Sequence, residues 1–327
     1  MATQNVAALV NGSPNGNNLL PREVSQTIWK EALAQSIVPQ ISSAHPMIFG
    51  DNTFPVLTAR PKAGIVGEGA QKPHSELKVG SKTVRPVKAV VGLEFTLEAI
   101  LSNPAGVLGL LEAEAASALA RQIDLAVLHG RDATTGADFG ATYPTSDAVA
   151  NVATKIYLGA SPTGTDIDEA LWAGYAAVAD AGNDVTGFAF DPRLVTKLAQ
   201  VRDADGRRVH PELRMGSGLT NYEGVSAVVS KSVSGQVDAS ADTGIRAFAG
   251  DFNSLRFGHV LDIRVKKIEY GDPFGNGDLQ GRNCVAYMAE VIFAWTHLGS
   301  GNLVAFVDGA DPEDDGGEGG EGGEGEA

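Results

Sequence analysis

Between residues 103 and 130 apolar side chains recur every three or four positions. Leu108, Leu111, Ala115, Leu119, Ile123 and Ala126 share one face, and Glu112, Arg121 and Gln122 lie off it. Asn103 and Pro104 offer a cap and a first helical position, no further proline interrupts the run, and Gly130 offers a left-handed stop. The pattern predicts one helix from Asn103 to Gly130, roughly 39 Å long at 1.5 Å per residue. Such a rod suits a frame on which other parts are mounted.

Just upstream the period changes from helical to alternating. Val87, Ala89, Val91, Leu93 and Phe95 alternate with Lys88, Val90, Gly92 and Glu94, the mark of a strand, and Phe54 to Leu57 is a second extended run. Between them lie Pro61, Gly64, Gly67, Gly69, Pro73 and Gly80. The reading is a long two-stranded arm, Phe54–Leu57 against Val84–Phe95, with a glycine- and proline-rich tip. A hairpin of this kind is marginal in water by itself, so it must lie on its own domain or on a neighbouring molecule.

The rest of the chain alternates short helices and strands. A helical stretch opens at Pro21 with Val24, Ile28 and Ala32 on one side. Arg131 to Pro162 is loop-like, with only short apolar pieces such as Val149–Val152 and Lys155–Leu158. Thr165 and Asp168 have capping-box spacing, which predicts a helix from there to Ala181, stopped by Gly182. Gly187–Phe190 is a short buried strand, and Asp191-Pro192 caps and starts a helix running to about Val201. Asp203-Ala204-Asp205-Gly206 is a turn. Strands follow at Val225–Val229, Ile245–Ala249, Leu255–Phe257, Leu261–Ile268, Asn283–His297 and Leu303–Val307, with a chain break at Gly250-Asp251-Phe252 and a loop over Gly271–Gly281. Asp311–Ala327 repeats Gly-Gly-Glu with almost no apolar content and is expected to be disordered.

Charge sharpens this picture. The 327 residues carry a formal −15, but nine carboxylates and no base fall within 308–327, leaving −6 for the remainder. The arm has the opposite sign: Arg60, Lys62, Lys72, Lys78, Lys82, Arg85 and Lys88 against Glu68 and Glu76, a net +5. A basic projection on an acidic body calls for an acidic partner surface, most simply another copy of the chain. No run of about 18 apolar residues predicts a membrane span. The single Cys284 excludes an internal disulfide and any multi-cysteine metal site.

The search for chemistry leaves catalysis, cofactors and metals without candidates. Gly67-Glu68-Gly69 lacks the third glycine of a dinucleotide loop, and there is neither a phosphate-binding Gly-Lys-Ser/Thr triplet nor a Gly-x-Ser-x-Gly elbow. His45, His74, His129, His210, His259 and His297 are scattered, and none pairs with another at i+4. Asp203 and Asp205 lack the further ligands of a calcium loop. The arm carries no aromatic residue between Arg60 and Lys88 on which a base could stack.

The order of parts resembles the major capsid proteins of tailed bacteriophages, of the Hong Kong 97 type. Val66-Gly67-Glu68-Gly69-Ala70 with Pro73 and Ser75 is similar to that family's extended loop, and Val84–Leu97 to its return strand. Ile123–Gly130 is similar to the end of its spine helix. Phe188–Pro192 with Arg202–Arg207 resembles its axial-domain strand, helix and turn, and Phe248–Phe252 is a further match. The matches run from about residue 20 to residue 307.

This resemblance implies an α+β capsid fold in eight parts: an N-terminal arm (1–30), the start of a peripheral domain (31–53), the extended loop (54–92) and a spine helix with peripheral domain (93–131). An axial domain (132–250), peripheral return strands (251–290), final strands back to the axial domain (291–307) and the acidic tail (308–327) complete it. It implies a non-enzymatic coat subunit without cofactor or metal, forming pentamers and hexamers of an icosahedral shell around double-stranded DNA. Expected partners are a separate scaffolding protein, a portal and decoration proteins, and the expected place is the virion, assembled in the host cytoplasm. Arg60, Lys62, Glu68, Lys72, Lys78, Lys82 and Arg85 are the expected subunit-interface residues. No motif selects one of these lysines for an isopeptide cross-link. Two other readings are open to the sequence: the shell of an encapsulin-like compartment, which shares the fold, and a soluble α/β enzyme.

Overall fold

The computed structural model describes residues 36–59, 61–69, 71–102, 107–139, 147–211, 213, 219–299 and 301–310. The helix expected at Pro21, the cap expected at Asn103-Pro104 and the acidic tail from Asp311 lie outside them.

In chain order, a four-residue helix (Val38–Ile41) leads into β1 (Ser43–Ala44), β2 (Asn52–Ala59), β3 (Lys78–Val84) and β4 (Val87–Thr96). Helices α1 (Leu97–Ser102) and α2 (Val107–His129) follow. After a helical turn at Val149–Val152 come β5 (Thr154–Tyr157), α3 (Gly164–Asp180), β6 (Gly187–Phe190), α4 (Pro192–Leu198), β7 (Asn221–Tyr222), β8 (Val225–Val229) and β9 (Ile245–Gly250). The chain ends in β10 (Leu255–Ile268), β11 (Cys284–His297) and β12 (Leu303–Val307).

These elements form two compact units. The first holds the described residues up to Ile123 together with 254–299; the second holds the described residues within 124–253 and those after 300. The expected boundary at 290/291 falls inside β11, which runs unbroken to His297 because its alternating apolar face continues through Phe293 and Trp295, both buried. Only β12 returns to the second unit.

In the first unit a four-stranded sheet has the order β1-β10-β11-β4, and β2 and β3 form a separate two-stranded sheet. This corrects the expected arm. β2 pairs with Lys78–Val84, not with Val84–Phe95, in a register that sets Asn52 opposite Val84 and Phe54 opposite Lys82. Arg85-Pro86 then breaks the chain, and Val87–Thr96 pairs with β11. The apolar alternation that marked β4 belongs to a strand with a core to cover, since Val87, Ala89 and Phe95 are buried. The true return limb has mostly solvated side chains and therefore no such alternation. The two segments expected as Leu255–Phe257 and Leu261–Ile268 are one strand, with register shifts on either side of Leu261 taking up the irregularity.

α2 has 23 residues. Ala115, Leu119, Ile123 and Ala126 are buried as the period requires, and every residue from Ile123 to Gly130 is buried, so its last turns lie inside a core on all sides. Gly130 ends it at φ +67°, its N–H bonded to the Ala126 carbonyl.

The second unit is a six-stranded mixed sheet, β5-β12-β9-β6-β8-β7, with α3 and α4 packed on it. Phe188, Phe190, Val304 and Phe306 from the strands meet Ile167, Leu171 and Val178 of α3 and Leu194 and Leu198 of α4. Gly174 lets α3 approach closely, because a Cβ there would come within 2.3 Å of the Phe306 ring. The cap of α3 lies two residues before the expected one. Thr163 accepts a hydrogen bond from the Asp166 N–H, and the Asp166 carboxylate accepts from the Thr163 N–H at 2.8 Å. Thr163/Asp166 and Thr165/Asp168 have the same spacing; Asp168 is drawn away by the Tyr222 hydroxyl, which donates to it at 2.7 Å. Thr154–Tyr157, within the expected loop-like stretch, is a strand because β12 pairs with it in parallel.

Candidate assembly surface

Asn52, buried at the base of the hairpin, sets the entry to β2. Its side-chain oxygen accepts from the Ile48 N–H and its amide donates to the Ile48 and Gly50 carbonyls, all within 3.2 Å. This side chain closes a tight turn with Gly50 at φ +98° and leaves Ile48 and Phe49 exposed on it. On the other limb Arg85 donates to the Asp51 carboxylate at 2.6 Å. That hydrogen bond, with the opposite charges behind it, holds the Asp51 carboxyl below its ordinary range and pushes the Arg85 guanidinium up.

Beyond its strands the hairpin buries almost nothing. Every described residue from 61 to 77 is exposed. The Lys62 N–H donates to the Ser75 hydroxyl at 2.6 Å, and Gly64 sits so near Pro73 that a Cβ would be 3.0 Å from its ring, so the two limbs are pinned near the tip. Glu68 lies in the tip turn before Gly69, whose φ is +78°.

The expected interface residues separate into two groups. Lys62, Glu68, Lys72 and Lys78 stand on the exposed part of the arm, where the Lys78–Glu76 pair at 3.5 Å is mostly solvated and worth under about 1 kcal/mol. Lys82 and Arg85 are engaged at the base: Lys82 donates to the His297 carbonyl at 2.9 Å and Arg85 holds Asp51. Arg60 lies outside the described residues.

Charge was the signal that marked the arm as a contact surface, and it missed the apolar residues displayed there. Ile65 is fully exposed at 106%, and Val66, Leu77 and Val79 are exposed with it. Surrounded by glycine, proline and lysine, these four give no periodicity in the sequence. The turn that presents Ile48 and Phe49 was missed for a related reason, since its cause is one side-chain amide.

Three of the histidines are buried among structural partners. His129 is buried at the end of α2, its Nε2 within reach of the Ser232 and Val233 carbonyls at 3.2 and 3.0 Å; burial pushes its pKa down to about 4. His297 meets the Ser254 hydroxyl at 2.9 Å, and His210 lies between Asp168 and Glu223. Burial pushes the Cys284 thiol up, and the neighbouring Glu94 adds to this. Among the described residues no group of three or more His, Cys, Asp or Glu is placed to hold a metal ion. None of their helices is long and apolar enough to cross a membrane.

The hairpin thus displays exposed apolar and basic side chains together. The chain is 45% identical to a solved chain from Gordonia phage Cozz, covering 93% of both with a TM-score of 0.76. It is 31% identical to one from Mycobacterium phage Ogopogo, over 84% of this chain and 92% of that one, with a TM-score of 0.73. It is also 26% identical to the probable major capsid protein gp17 of Mycobacterium phage D29, over 74% of this chain and 72% of that protein. The phage capsid family model matches residues 16–296, and with that span, nearly the whole of both units, the chain belongs to the phage capsid family.

Proposed function

We propose that this major capsid protein builds the phage head shell through a subunit of the Hong Kong 97 type. Copies associate as pentamers and hexamers, and the shell they close encloses double-stranded DNA without reading its sequence. The hairpin β2–β3 is the extended loop and α2 the spine. The first unit serves as the peripheral domain, and the second as the axial domain near the capsomer centre. A separate scaffolding protein, a portal and decoration proteins complete the particle, which assembles in the host cytoplasm.

The observation that carries this reading is the arm. It combines a net +5 with exposed Ile65, Val66, Leu77 and Val79, on a chain whose remaining charge is negative. Lys62, Lys72 and Lys78 steer it towards an acidic neighbour, while burial of Ile65 contributes about 1.5–3 kcal/mol per contact. Repeated at every copy of the same contact, small terms of this kind hold a closed shell. No step in this function needs a catalytic group.

Sedimentation of the purified full chain, with negative-stain imaging of the fast fractions, tests the proposal. Rings or closed shells are expected, with scaffold supplied if required. A chain that remains monomeric or dimeric across salt and concentration, with scaffold present, contradicts it.

A further inference from the structure

The second unit carries an apolar groove that its own core does not need. Trp172 and Tyr175, one turn apart on α3, are 55% and 41% exposed and meet edge-on with ring centroids 6.0 Å apart. With Phe188 and Val225 they wall a cavity of about 160 Å³, room for one side chain, and Glu223 stands on its rim. A Trp and a Tyr turned outward around a shallow apolar cavity are the residue types that dominate protein–protein contacts.

Glu223 is in an unusual conformation. It occupies the first position of the tight β7–β8 hairpin at φ +47°, followed by Gly224 at +83°. Both central residues of such a turn need positive φ, for which Asn is the favourable choice at the first. A glutamate held there is strained, and strain of this kind collects where a side chain has work to do. The groove lies in acidic surroundings, because α3 bears Asp166, Asp168, Glu169 and Asp180 and no base.

The same unit presents a complementary shape. Residues 201–209 form a narrow hairpin: the Val209 N–H bonds to the Val201 carbonyl, and the Asp203 carboxylate accepts the Asp205 and Arg207 N–H groups at 3.0 and 2.8 Å. The braced turn holds out Arg207 and Arg208, both exposed and neither in an ion pair among the described residues, next to the exposed Val209.

We propose that the Trp172–Tyr175 groove is covered by the 201–209 hairpin of a second copy of this chain. An arginine of that hairpin stacks on the aromatic pair and meets the Glu223 carboxylate, and Val209 packs beside it. Groove and hairpin share no residue, so the contact is heterologous, and its repetition around an axis closes a ring. The inference rests on the coat-subunit reading and names one of its contacts.

Acrylamide quenching tests it directly in a Trp29→Phe chain, where Trp295 is fully buried and Trp172 supplies the accessible fluorescence. Assembly into rings or shells should lower the quenching of Trp172 several-fold. The second measurement is the threshold concentration for assembly. Arg207→Ser with Arg208→Ser should raise it about tenfold or more. Glu223→Asn should do the same while leaving the unfolding midpoint of the unassembled chain unchanged or higher, which a merely structural residue would not. Shells that form with Trp172 still fully quenchable, or with the Glu223→Asn threshold unchanged, overturn the contact and leave the coat reading intact. A parent chain that forms neither rings nor shells overturns both.

Discussion

β6 and the hairpin tip are opposite extremes of one chain. All four residues of Gly187–Phe190 are buried, with Phe188 and Phe190 stacked at 5.4 Å, whereas every described residue from 61 to 77 faces solvent. β6 is stabilised by contacts within its own molecule. The tip keeps its shape through a few local bonds, and on the proposed function it gains its burial from another molecule. Folding free energy and assembly free energy are therefore written in different places, and substitutions should separate them.

The largest expected effect lies on the β6 side. Phe306→Ala empties the space between the sheet and Gly174 and should cost about 3–5 kcal/mol, read by denaturant unfolding of the unassembled chain. Ile65→Ser, by contrast, should leave that curve within about 0.5 kcal/mol and weaken assembly alone. Equal effects of the two on unfolding would erase the distinction.

Acid should act on the core before the arm. His129 is neutral in the fold, with its pKa lowered from 6.5 to about 4, so the unfolded chain binds the extra proton. Stability is then intact above about pH 6.5 and falls as pH drops towards 4, by about 3 kcal/mol at the lower end. Unfolding midpoints measured across this range should fall, and fall less in His129→Asn. Asp242 contributes lower down. Burial pushes its carboxyl up, but Arg246, the Gly244 N–H and Arg193 together leave it below its ordinary value. The stability it supplies is present above the unfolded carboxylate pKa and is lost as pH falls through the folded one.

Smaller effects separate the two kinds of surface bond. Thr163→Ala removes one half of a capping box and should cost about 1 kcal/mol in thermal unfolding of the unassembled chain. Glu76→Gln breaks only the solvated pair with Lys78, and the unfolding midpoint should not move measurably.

What could be read from the sequence follows the same division. The C-terminal part of α2, β6, the Asp191 cap and the Gly182 stop are local: each depends on residues within a turn or two, and each is where the pattern puts it. The choice between Lys78–Val84 and Val84–Phe95 as partner of β2 is not local, because the stronger alternation marked the strand with the deeper core. Thr163 and Thr165 offered equal capping geometry, and only the distant Tyr222 separates them by engaging Asp168. β5 is a strand because β12 lies beside it. As for the candidate surface, composition located the arm and its sign. Lys82 and Arg85 looked the same as Lys62 and Lys72 until pairing at the base distinguished them, and Ile65 was hidden among glycines.

On the proposed function, a neighbouring molecule completes the hairpin. Hydrogen–deuterium exchange over residues 61–77, compared between unassembled chain and isolated shells, tests it most directly. Fast exchange in the unassembled chain and strong protection in shells is the predicted result. Equal exchange in both states, whether fast or slow, would contradict it.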